Sequence, residues 1–222
     1  MWHNSSMLAT VKQTEEFINL FRQRGRRVDY AKGEFIIRPG DTPSGVFLIE
    51  SGLVKAYDIT KYGEENLLII RKAGEIFPLI WAITGQERQV IYETVSPATV
   101  WHLPRDVFLQ MMGDNPNAVY PLLSMTVEMY RIHSERIINL EYRSVRERLI
   151  SFLLTMAHRF GESTKDGLTI NVPLRHQDIA SSINSSRETT SREMIALERK
   201  GLLVNQQTYI TLKNVKELRK FL

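Results

Sequence analysis

Short runs rich in β-branched and aromatic residues, each closed by a turn signal, dominate residues 28–103. The runs fall at residues 34–38, 46–50, 53–59, 66–71, 89–95 and 99–103. Turn dipeptides such as Pro39-Gly40 and Ser51-Gly52 separate them, because Pro and Gly supply backbone angles that strands do not use. Many short strands at this spacing predict an antiparallel β-roll or a jelly-roll-like sandwich. We therefore expect this part of the chain to form one β-body.

Helical patterns lie on both sides of this β-rich stretch. Amphipathic patterns predict helices over residues 14–24 and 105–112, and a longer pattern covers residues 115–141. Pro121 lies in the early turns of the long pattern. Because Pro lacks a backbone donor and disrupts a helix interior, we expect a kink there, or a short helix followed by a restart at Tyr120.

The long helix carries two apolar stripes. Steps of three and four residues, the spacing of a coiled-coil seam, place one stripe at Leu123, Thr126, Tyr130, His133, Ile137 and Leu140. The neighbouring stripe consists of Leu122, Met125, Met129 and Ile132. We expect the second stripe to pack on the β-body and the first to form a homodimer interface with a second copy of the helix. A single buried helix is the alternative interpretation.

The C-terminal third has the element order of a winged helix-turn-helix. A helix is predicted over residues 145–160, followed by a polar loop at 161–167 and a strand at 168–172. Two further helices then precede a final hairpin, formed by residues 202–205 and 209–212.

These patterns together predict an α+β chain in three parts. Residues 1–114 form a β-roll domain, 115–143 a dimerisation helix and hinge, and 144–222 a winged helix-turn-helix DNA-binding domain. Residues 144–222 carry 13 Lys and Arg against 8 Asp and Glu, whereas the preceding 143 residues carry 16 against 17. A basic part beside a near-neutral part is typical of a nucleic-acid-binding module. An ordinary solvated surface is the alternative.

The predicted helix pair of the C-terminal part has a short turn between its helices. Asn184-Ser185 makes this turn, because Asn tolerates a left-handed backbone conformation. Ser185 and Glu188, three residues apart, fit a capping box that begins the second helix. Small and apolar residues are expected to pack inward: Ile179, Ala180, Ile183, Thr190, Met194 and Leu197.

The opposite face of the second helix carries Arg187, Glu188, Ser191, Arg192 and Ile195. An Arg guanidinium binds guanine O6 and N7 through two hydrogen bonds, and a Glu carboxylate accepts from the amino group of cytosine. Both residue types lie in the first two turns, where recognition helices meet base edges. We therefore predict a DNA-reading face. A solvated face with an internal Glu188–Arg192 pair is the alternative.

The sequence lacks the motifs of several other protein classes. Without Cys it cannot form disulfides, thiolate nucleophiles or Cys-ligated iron–sulfur clusters. It has no nucleophile-elbow, P-loop, zincin or dinucleotide motif, and its five His residues show no metal-ligand spacing, so we expect neither an enzyme nor a metal site. No apolar run reaches the ~20 residues of a membrane helix. The N-terminal Met1-Trp2-His3-Asn4-Ser5-Ser6 does not resemble a signal peptide, so we expect a cytoplasmic protein.

Several motifs resemble the CRP/FNR family of bacterial transcription regulators, to which the cyclic-AMP receptor proteins belong. Ser186-Arg187-Glu188-Thr189 with Arg192 is highly specific for this family. The β-rich part adds motifs in the family's order and spacing: Lys32-Gly33-Glu34, Pro39-Gly40-Asp41, Phe47-Leu48-Ile49, Gly52-Leu53-Val54-Lys55 and Gly74-Glu75. The resemblance covers residues 14–215. It implies that residues 1–114 are a sensory, cyclic-nucleotide-binding-like β-roll. It also implies a homodimer and contact with RNA polymerase through loops at residues 160–167 or 58–65.

The resemblance also implies a palindromic DNA site. Residues that match Arg187, Glu188 and Arg192 read a TGTGA-type half-site in the family. Glu188 with Ser191-Arg192 also fits the FNR-type pattern, whose half-site begins differently. Gln177 and Ser186 match positions that contact phosphate, and Thr189 is expected beside them as a further DNA contact.

An effector site in the β-roll is a further implication of the resemblance. Gly74-Glu75 matches a pair that holds a ribose, and Arg88-Gln89 matches the pair that holds the phosphate of a cyclic nucleotide. His133-Ser134 matches residues of the long helix that touch the base across the dimer. The chain departs from this pattern at Gln89, at Pro78 and Trp81, and in a longer spacing before Arg88.

These departures leave several interpretations of the β-roll open. Its effector is cyclic AMP or another small molecule, or it has none, and haem ligation through His102 or His133 is a further option. Glu75 and Arg88 alternatively form a buried ion pair that stabilises the roll. The alternative function is a ligand-binding regulatory module that acts through protein contacts rather than DNA.

Overall fold

The computed structural model describes residues 5–206 and 209–222, with side chains from residue 15 onward. The chain forms two compact units. The first contains the residues up to Asp58 together with Leu68–Met129, and the second contains Ile59–Leu67 and Tyr130–Leu222. Residues 1–4, the start of the segment in which no signal peptide is predicted, lie outside the described part.

Two four-stranded sheets form most of the first unit. The elements in chain order are α1 (Ser5–Arg24), β1 (Arg26–Tyr30), β2 (Phe35–Ile37), β3 (Val46–Ser51), β4 (Val54–Ile59), β5 (Glu65–Arg71), β6 (Ile76–Phe77), α2 (Leu79–Thr84), β7 (Ile91–Thr94), β8 (Ala98–Leu103), α3 (Arg105–Asp114), a 3₁₀ turn (Pro116–Ala118) and α4 (Val119–Tyr142). The strand orders are β1-β8-β3-β6 and β2-β7-β4-β5. The pairs β1–β8, β3–β8 and β4–β7 all run antiparallel, as predicted from the sequence.

A stack of three aromatic rings joins the two sheets. Phe77 of β6 lies between Phe47 of β3, with 5.3 Å between ring centroids, and Tyr92 of β7, with 4.5 Å. Phe77 is completely buried and Phe47 nearly so. Buried aromatic rings contribute a large apolar area to a core. The stack therefore explains how a strand of only two residues, β6, holds its place between the sheets.

Helices α1, α3 and α4 cover the sheet that contains β3 and β8. Phe17 and Phe21 of α1 are buried in one cluster with Phe108 of α3 and Leu122 of α4. Met125 of α4 is half-buried against the same cluster. Leu122 and Met125 of the second stripe therefore pack on the β-body, as predicted.

Pro121 is accommodated near the beginning of α4. A 3₁₀ turn covers Pro116–Ala118, and α4 begins at Val119. Pro121 thus lies in the first turn, where backbone N–H groups have no partner within the helix and a missing donor costs little. The restart predicted at Tyr120 is confirmed to within one residue.

The second unit has the element order of a winged helix-turn-helix. After the end of α4 follow α5 (Val145–Phe160), β9 (Gly161–Thr164), β10 (Gly167–Ile170), α6 (His176–Ser182), α7 (Arg187–Arg199), β11 (Leu203–Gln206), β12 (Tyr209–Leu212) and α8 (Val215–Arg219). The strands form one sheet in the order β11-β12-β10-β9. The predicted bounds of α5 and the predicted final hairpin are confirmed.

Five elements of the fold differ from the prediction. The segment 161–167, predicted as a polar loop, contains β9, which pairs with β10 so that Ser163 faces Leu168. Strands β1 and β6 and helices α2 and α8 were not predicted. Both β1 and β9 are largely exposed, so they lack the apolar alternation that marks a half-buried strand, and only pairing with a neighbour defines them.

The segment Ile59–Leu67 belongs to the second unit through backbone contacts. Ser181 Oγ accepts a hydrogen bond from Leu67 N at 3.2 Å. The guanidinium of Arg136 donates to Leu67 O at 3.0 Å and to Asn66 Oδ1 at 3.2 Å. The end of this hairpin is thereby bound to α4 and α6.

Two classes of feature do not occur among the described residues. No helix within 5–206 and 209–222 combines the length and the apolar character needed to cross a membrane. In the same ranges, no three His, Cys, Asp or Glu side chains come together in a way that could hold a metal ion.

Candidate nucleic-acid interface

Helices α6 and α7 and the turn between them form the candidate interface. Asn184 has a φ of 50°, the left-handed conformation predicted for this turn. The next residue, Ser185, donates its backbone N–H to Ala180 O at 3.0 Å. This bond closes the end of α6 and sets the direction in which α7 begins.

Buried side chains hold α7 in place. All three residues predicted to face inward, Thr190, Met194 and Leu197, are buried, as are Ile179, Ala180 and Ile183. An ion pair adds to this packing, because Arg146 Nε of α5 lies 2.6 Å from Glu193 Oε2 of α7. The opposite face of α7 is therefore the one turned to solvent.

The N-terminus of α7 is capped one residue later than predicted. Ser186, not Ser185, is the capping residue, and its Oγ accepts from Thr189 N at 3.1 Å and donates to Thr189 Oγ1 at 3.0 Å. The predicted Ser185–Glu188 capping box is therefore wrong, because the Ser185 N–H still belongs to the end of α6. This shift leaves Glu188 at the second helical position, where it is exposed.

The predicted reading residues Arg187, Glu188 and Arg192 are all exposed on one face of α7, together with Ile195. The guanidinium of Arg192 donates to Thr189 Oγ1 at 3.1 Å. It bonds the hydroxyl of the first turn rather than the Glu188 carboxylate, contrary to the alternative of an internal ion pair. The charged side chains of this face are therefore exposed to solvent.

Ser191 differs from its neighbours on this face. It is half-buried, and its Oγ lies 2.7 Å from His176 Nδ1. The other ring nitrogen of His176 lies 3.0 Å from Asn205 Nδ2 of β11. The sequence analysis did not identify His176 or Asn205 as site residues, because their partners lie 15 and 29 positions away.

The predicted phosphate contacts lie at the beginnings of the two helices. Gln177 is exposed at the second position of α6, and Ser186 is exposed as the cap of α7. Thr189 is half-buried, and its Oγ1 accepts hydrogen bonds from both Ser186 and Arg192. Polar side chains at helix beginnings are common contacts to the DNA backbone.

The predicted effector residues of the β-roll have different environments. Gly74, with φ 85°, lies in the turn before β6, and Glu75 is buried, with its Oε2 3.6 Å from Arg71 Nη1. Arg88 and Gln89 are exposed in the segment between α2 and β7. The alternative of a buried Glu75–Arg88 ion pair is therefore wrong, and Arg71 supplies the cation beside Glu75.

Two further residues of the β-roll belong to this environment and were missed by the sequence analysis. They are Arg71 and Tyr92. Burial raises the pKa of the Tyr92 phenol, although the positive charges of Arg71 and Arg88 oppose the rise. The two guanidiniums thus lie near a neutral phenol. The sequence does contain a signal that could have identified Arg71, namely a cation at the end of the otherwise apolar strand Ile69-Ile70-Arg71.

The remaining predicted ligand positions lie elsewhere. His133 is exposed and Ser134 half-buried on the part of α4 that belongs to the second unit. His102 of β8 packs against the Phe47 ring at 4.9 Å, and its Nε2 lies 3.4 Å from Ser44 Oγ.

The predicted seam of α4 is turned to solvent. Leu123, Tyr130 and Ile137 are 55%, 73% and 56% exposed. Thr126 and His133 are also exposed, and Leu140 is half-buried. Apolar side chains this exposed at seam spacing are unusual for a surface that stays in water.

Comparisons with known proteins agree with this architecture. Residues 27–115 match the family model of the cyclic nucleotide-binding domain, and residues 147–221 match that of the Crp-like helix-turn-helix domain. A global nitrogen regulator from Nostoc sp. is 30% identical over 216 residues, which cover 90% of this chain and 94% of that protein. The chain belongs to the CRP/FNR family. It is therefore a transcription regulator with a helix-turn-helix DNA-binding domain.

Other members of the CRP/FNR family show the same likeness. A global nitrogen regulator from Synechococcus elongatus is 28% identical over 187 residues, which cover 83% of this chain and 84% of the relative. The structure of a CooA mutant from Carboxydothermus hydrogenoformans superposes with a TM-score of 0.77 at 22% identity, covering 91% of this chain and 89% of CooA. The latter likeness confirms the fold.

Proposed function

We propose that this CRP/FNR regulator acts as a homodimer on a palindromic promoter site. The observation that carries the proposal is the exposed cluster of Arg187, Glu188 and Arg192 on a helix whose other face is buried. In a two-fold dimer, two such helices enter successive major grooves, and the half-sites lie one turn apart, ~34–36 Å.

Each exposed side chain has a base that suits its chemistry. Arg187 and Arg192 each bind guanine O6 and N7, and Glu188 accepts from a cytosine amino group. A TGTGA-type half-site offers both bases on its two strands. Gln177, Ser186 and Thr189 bind backbone phosphates and orient the domain.

The exposed stripe of α4 supplies the dimer contact. The side chains of this stripe, which include Leu123, Tyr130 and Ile137, repeat at coiled-coil spacing. The stripes of two copies can therefore interlock. Burying such apolar area contributes about 25 cal/mol per Å². The chain then divides by role into a sensory part (1–114), a dimerisation helix with a hinge (115–143) and a DNA-binding part (144–222).

A hinge between α4 and α5 connects the sensory part to the DNA-binding part. The two helices are separated by two residues, and Asn139 Nδ2 of α4 donates to Ser151 Oγ of α5 at 2.8 Å in a buried contact. A small-molecule effector in the β-roll would shift the population between two arrangements of the hinge. Cyclic AMP is one candidate effector. The regulator works in the cytoplasm, where RNA polymerase contacts it through residues 160–167 or 58–65.

Fluorescence anisotropy of a labelled TGTGA-N6-TCACA duplex tests this proposal. The protein is titrated with and without cyclic AMP, at two salt concentrations, against a duplex in which both half-sites are scrambled. We expect preference for the intact palindrome and a steep loss of affinity with salt, because phosphate contacts release counterions. Equal affinity for the two duplexes, together with no preferred sequence in a selection from random DNA, would contradict it.

A further inference from the structure

The His176 ring connects three elements of the DNA-binding unit. It lies at the first position of α6, contacts Ser191 in the second turn of α7 through Nδ1, and contacts Asn205 of β11 through Nε2. We name these three residues the His176 bridge. Its two contacts, at 2.7 and 3.0 Å, have hydrogen-bond distances.

Hydrogen bonds hold both Asn205 and the beginning of α6 in place. Asn205 donates its backbone N–H to Glu198 Oε1 of α7 at 3.0 Å and pairs with Ile210 across the wing hairpin. On the other side, the backbone N–H of Arg175 donates to Asp178 Oδ2 at 3.0 Å, which holds the beginning of α6. The backbone on both sides of the contact between His176 and Asn205 is therefore held in place.

The groups available on each side chain determine which atom donates in each hydrogen bond of the bridge. The nitrogen of an Asn amide can only donate, so His176 Nε2 must accept from Asn205. A neutral imidazole that accepts at Nε2 carries its hydrogen on Nδ1, which then donates to Ser191 Oγ. The Ser191 hydroxyl receives this hydrogen bond on one lone pair and keeps its own hydrogen to donate elsewhere.

We propose that His176 is a positioning residue for base reading: it turns the Ser191 hydroxyl into a donor aimed at an acceptor in the half-site. The acceptors available in the major groove are thymine O4 and guanine O6 or N7. Ser191 lies one turn after Glu188 and next to Arg192 in α7, so the base it reads neighbours theirs. This inference rests on the proposed function, because it requires α7 to lie in the groove.

Two substitutions of His176 test its two hydrogen bonds separately, because each substitution keeps only one of them. In His176→Asn, the shorter amide stands where Nδ1 stood and can still donate to Ser191. In His176→Gln, the longer amide reaches the place of Nε2 and bonds Asn205, but the donor to Ser191 is lost. His158→Gln is a matched control, because His158 is exposed on α5.

The binding experiment compares the full-length variants on duplexes changed at one base pair of each half-site at a time. His176→Gln should lose discrimination at a single position by about threefold to tenfold, the range of one hydrogen bond. His176→Asn should retain it. Ser191→Ala should lose discrimination at the same position, and adding His176→Gln to Ser191→Ala should cause no further loss there. Thermal melting of each variant shows whether it is folded.

A spectroscopic measurement tests the bridge without DNA. Long-range ¹H–¹⁵N NMR of the full chain with ¹⁵N-labelled His distinguishes a protonated from an unprotonated ring nitrogen, and the His176→Gln spectrum identifies the His176 signals. We expect a protonated Nδ1 and an unprotonated Nε2. The reverse assignment would overturn the donor role of Ser191.

The outcomes distinguish this inference from the proposed function. If the wild type is selective but His176→Gln weakens binding equally on every duplex, His176 has only a structural role and the inference is wrong. If the wild type selects no sequence at all, the proposed function fails and the inference fails with it. A loss at one position that His176→Asn restores would support both.

Discussion

At the scale of single residues, Thr190 shows which property of a side chain the buried face of α7 requires. It is completely buried, and its Oγ1 has no hydrogen-bond partner among the described residues. Leaving a buried hydroxyl unsatisfied costs ~1–3 kcal/mol. The position therefore requires the shape of a β-branched residue rather than its polarity.

Thr190→Val is expected to stabilise the protein. Valine keeps the shape and removes the unsatisfied hydroxyl, so the free energy of unfolding should rise by about 1 kcal/mol. Urea unfolding measures the change. Thr190→Ser is the comparison, because it keeps the hydroxyl, loses the methyl group and should destabilise by about 1 kcal/mol. A Val variant no more stable than the wild type would mean that the hydroxyl is satisfied.

On the exposed face of α7, Arg187→Ala is expected to relax specificity at one base pair of each half-site. Losing two hydrogen bonds to one guanine should cost ~1–3 kcal/mol on the cognate duplex and much less on a duplex that already lacks this guanine. Anisotropy titrations on both duplexes give the ratio. Arg199→Ala is a suitable control, because Arg199 lies at the far end of α7. Unchanged ratios for Arg187→Ala would show that this side chain does not read a base.

At the scale of elements, the N-terminus of α5 depends on a reciprocal pair of hydrogen bonds. Ser144 Oγ accepts from Glu147 N, and the Glu147 carboxylate accepts from Ser144 N at 2.7 Å and from Ser144 Oγ at 2.6 Å. The hydroxyl and backbone bonds from Ser144 lower the pKa of the Glu147 carboxyl. This capping box begins the helix directly after the hinge, so it determines where α4 and α5 separate.

Ser144→Ala should therefore destabilise the DNA-binding unit in a pH-dependent way. Loss of the cap should cost about 1 kcal/mol at neutral pH. A carboxyl whose pKa is lower in the folded than in the unfolded protein stabilises the folded state at pH values above its unfolded pKa. This stabilisation is lost as the pH falls through the pKa of the folded state. The deficit relative to wild type should thus shrink below the ordinary Glu pKa of 4.5. Chemical unfolding at neutral and acidic pH measures it, and a deficit independent of pH would exclude the coupling to Glu147.

The hinge itself should respond to the activating signal. We expect amide hydrogen exchange across residues 136–146 to change when the regulator passes into its DNA-binding state, because the last turn of α4 must repack against α5. Mass spectrometry of free and DNA-bound protein provides the comparison. Identical exchange in this segment, with protection appearing only in α6 and α7, would mean that the hinge does not move.

At the scale of the whole molecule, the proposed homodimer accounts for the solvent-facing stripe of α4. Ile137→Arg should shift the protein towards the monomer, because a buried, unpaired charge in a helical seam is strongly unfavourable. Sedimentation velocity measures the mass. Ser124→Lys, exposed and outside the seam spacing, should leave the dimer intact. A wild-type protein that is monomeric at all concentrations would contradict the dimer.

The proposed dimer couples dimerisation to DNA binding through geometry. Each half-site would engage one recognition helix, and linking the two helices raises the effective concentration of the second. The Ile137→Arg variant should accordingly lose most of its affinity for a palindrome, while its affinity for a single half-site stays near that of the wild type.

The sequence by itself determined the order and type of most elements. The β-branched and aromatic residues of runs such as 46–50 and 99–103 predicted strands, and the 3.6-residue period of 145–160 predicted a helix. The structure has these elements at these positions. The family motif Ser186-Arg187-Glu188-Thr189 likewise identified the exposed face of α7. Local pattern is informative in these cases because burial alone selects the residues.

Only the tertiary structure decided the features that depend on distant partners. Strands β1 and β9 are defined by pairing with their neighbours. The environment of Glu75 depends on the cation Arg71. The cap of α7 depends on the hydrogen bond that joins Ser185 to the end of α6. The contact of His176 with Ser191 and Asn205 joins residues 15 and 29 positions apart. Such contacts leave no periodic trace in a sequence, because a hydrogen bond needs two groups in one place and no particular spacing along the chain.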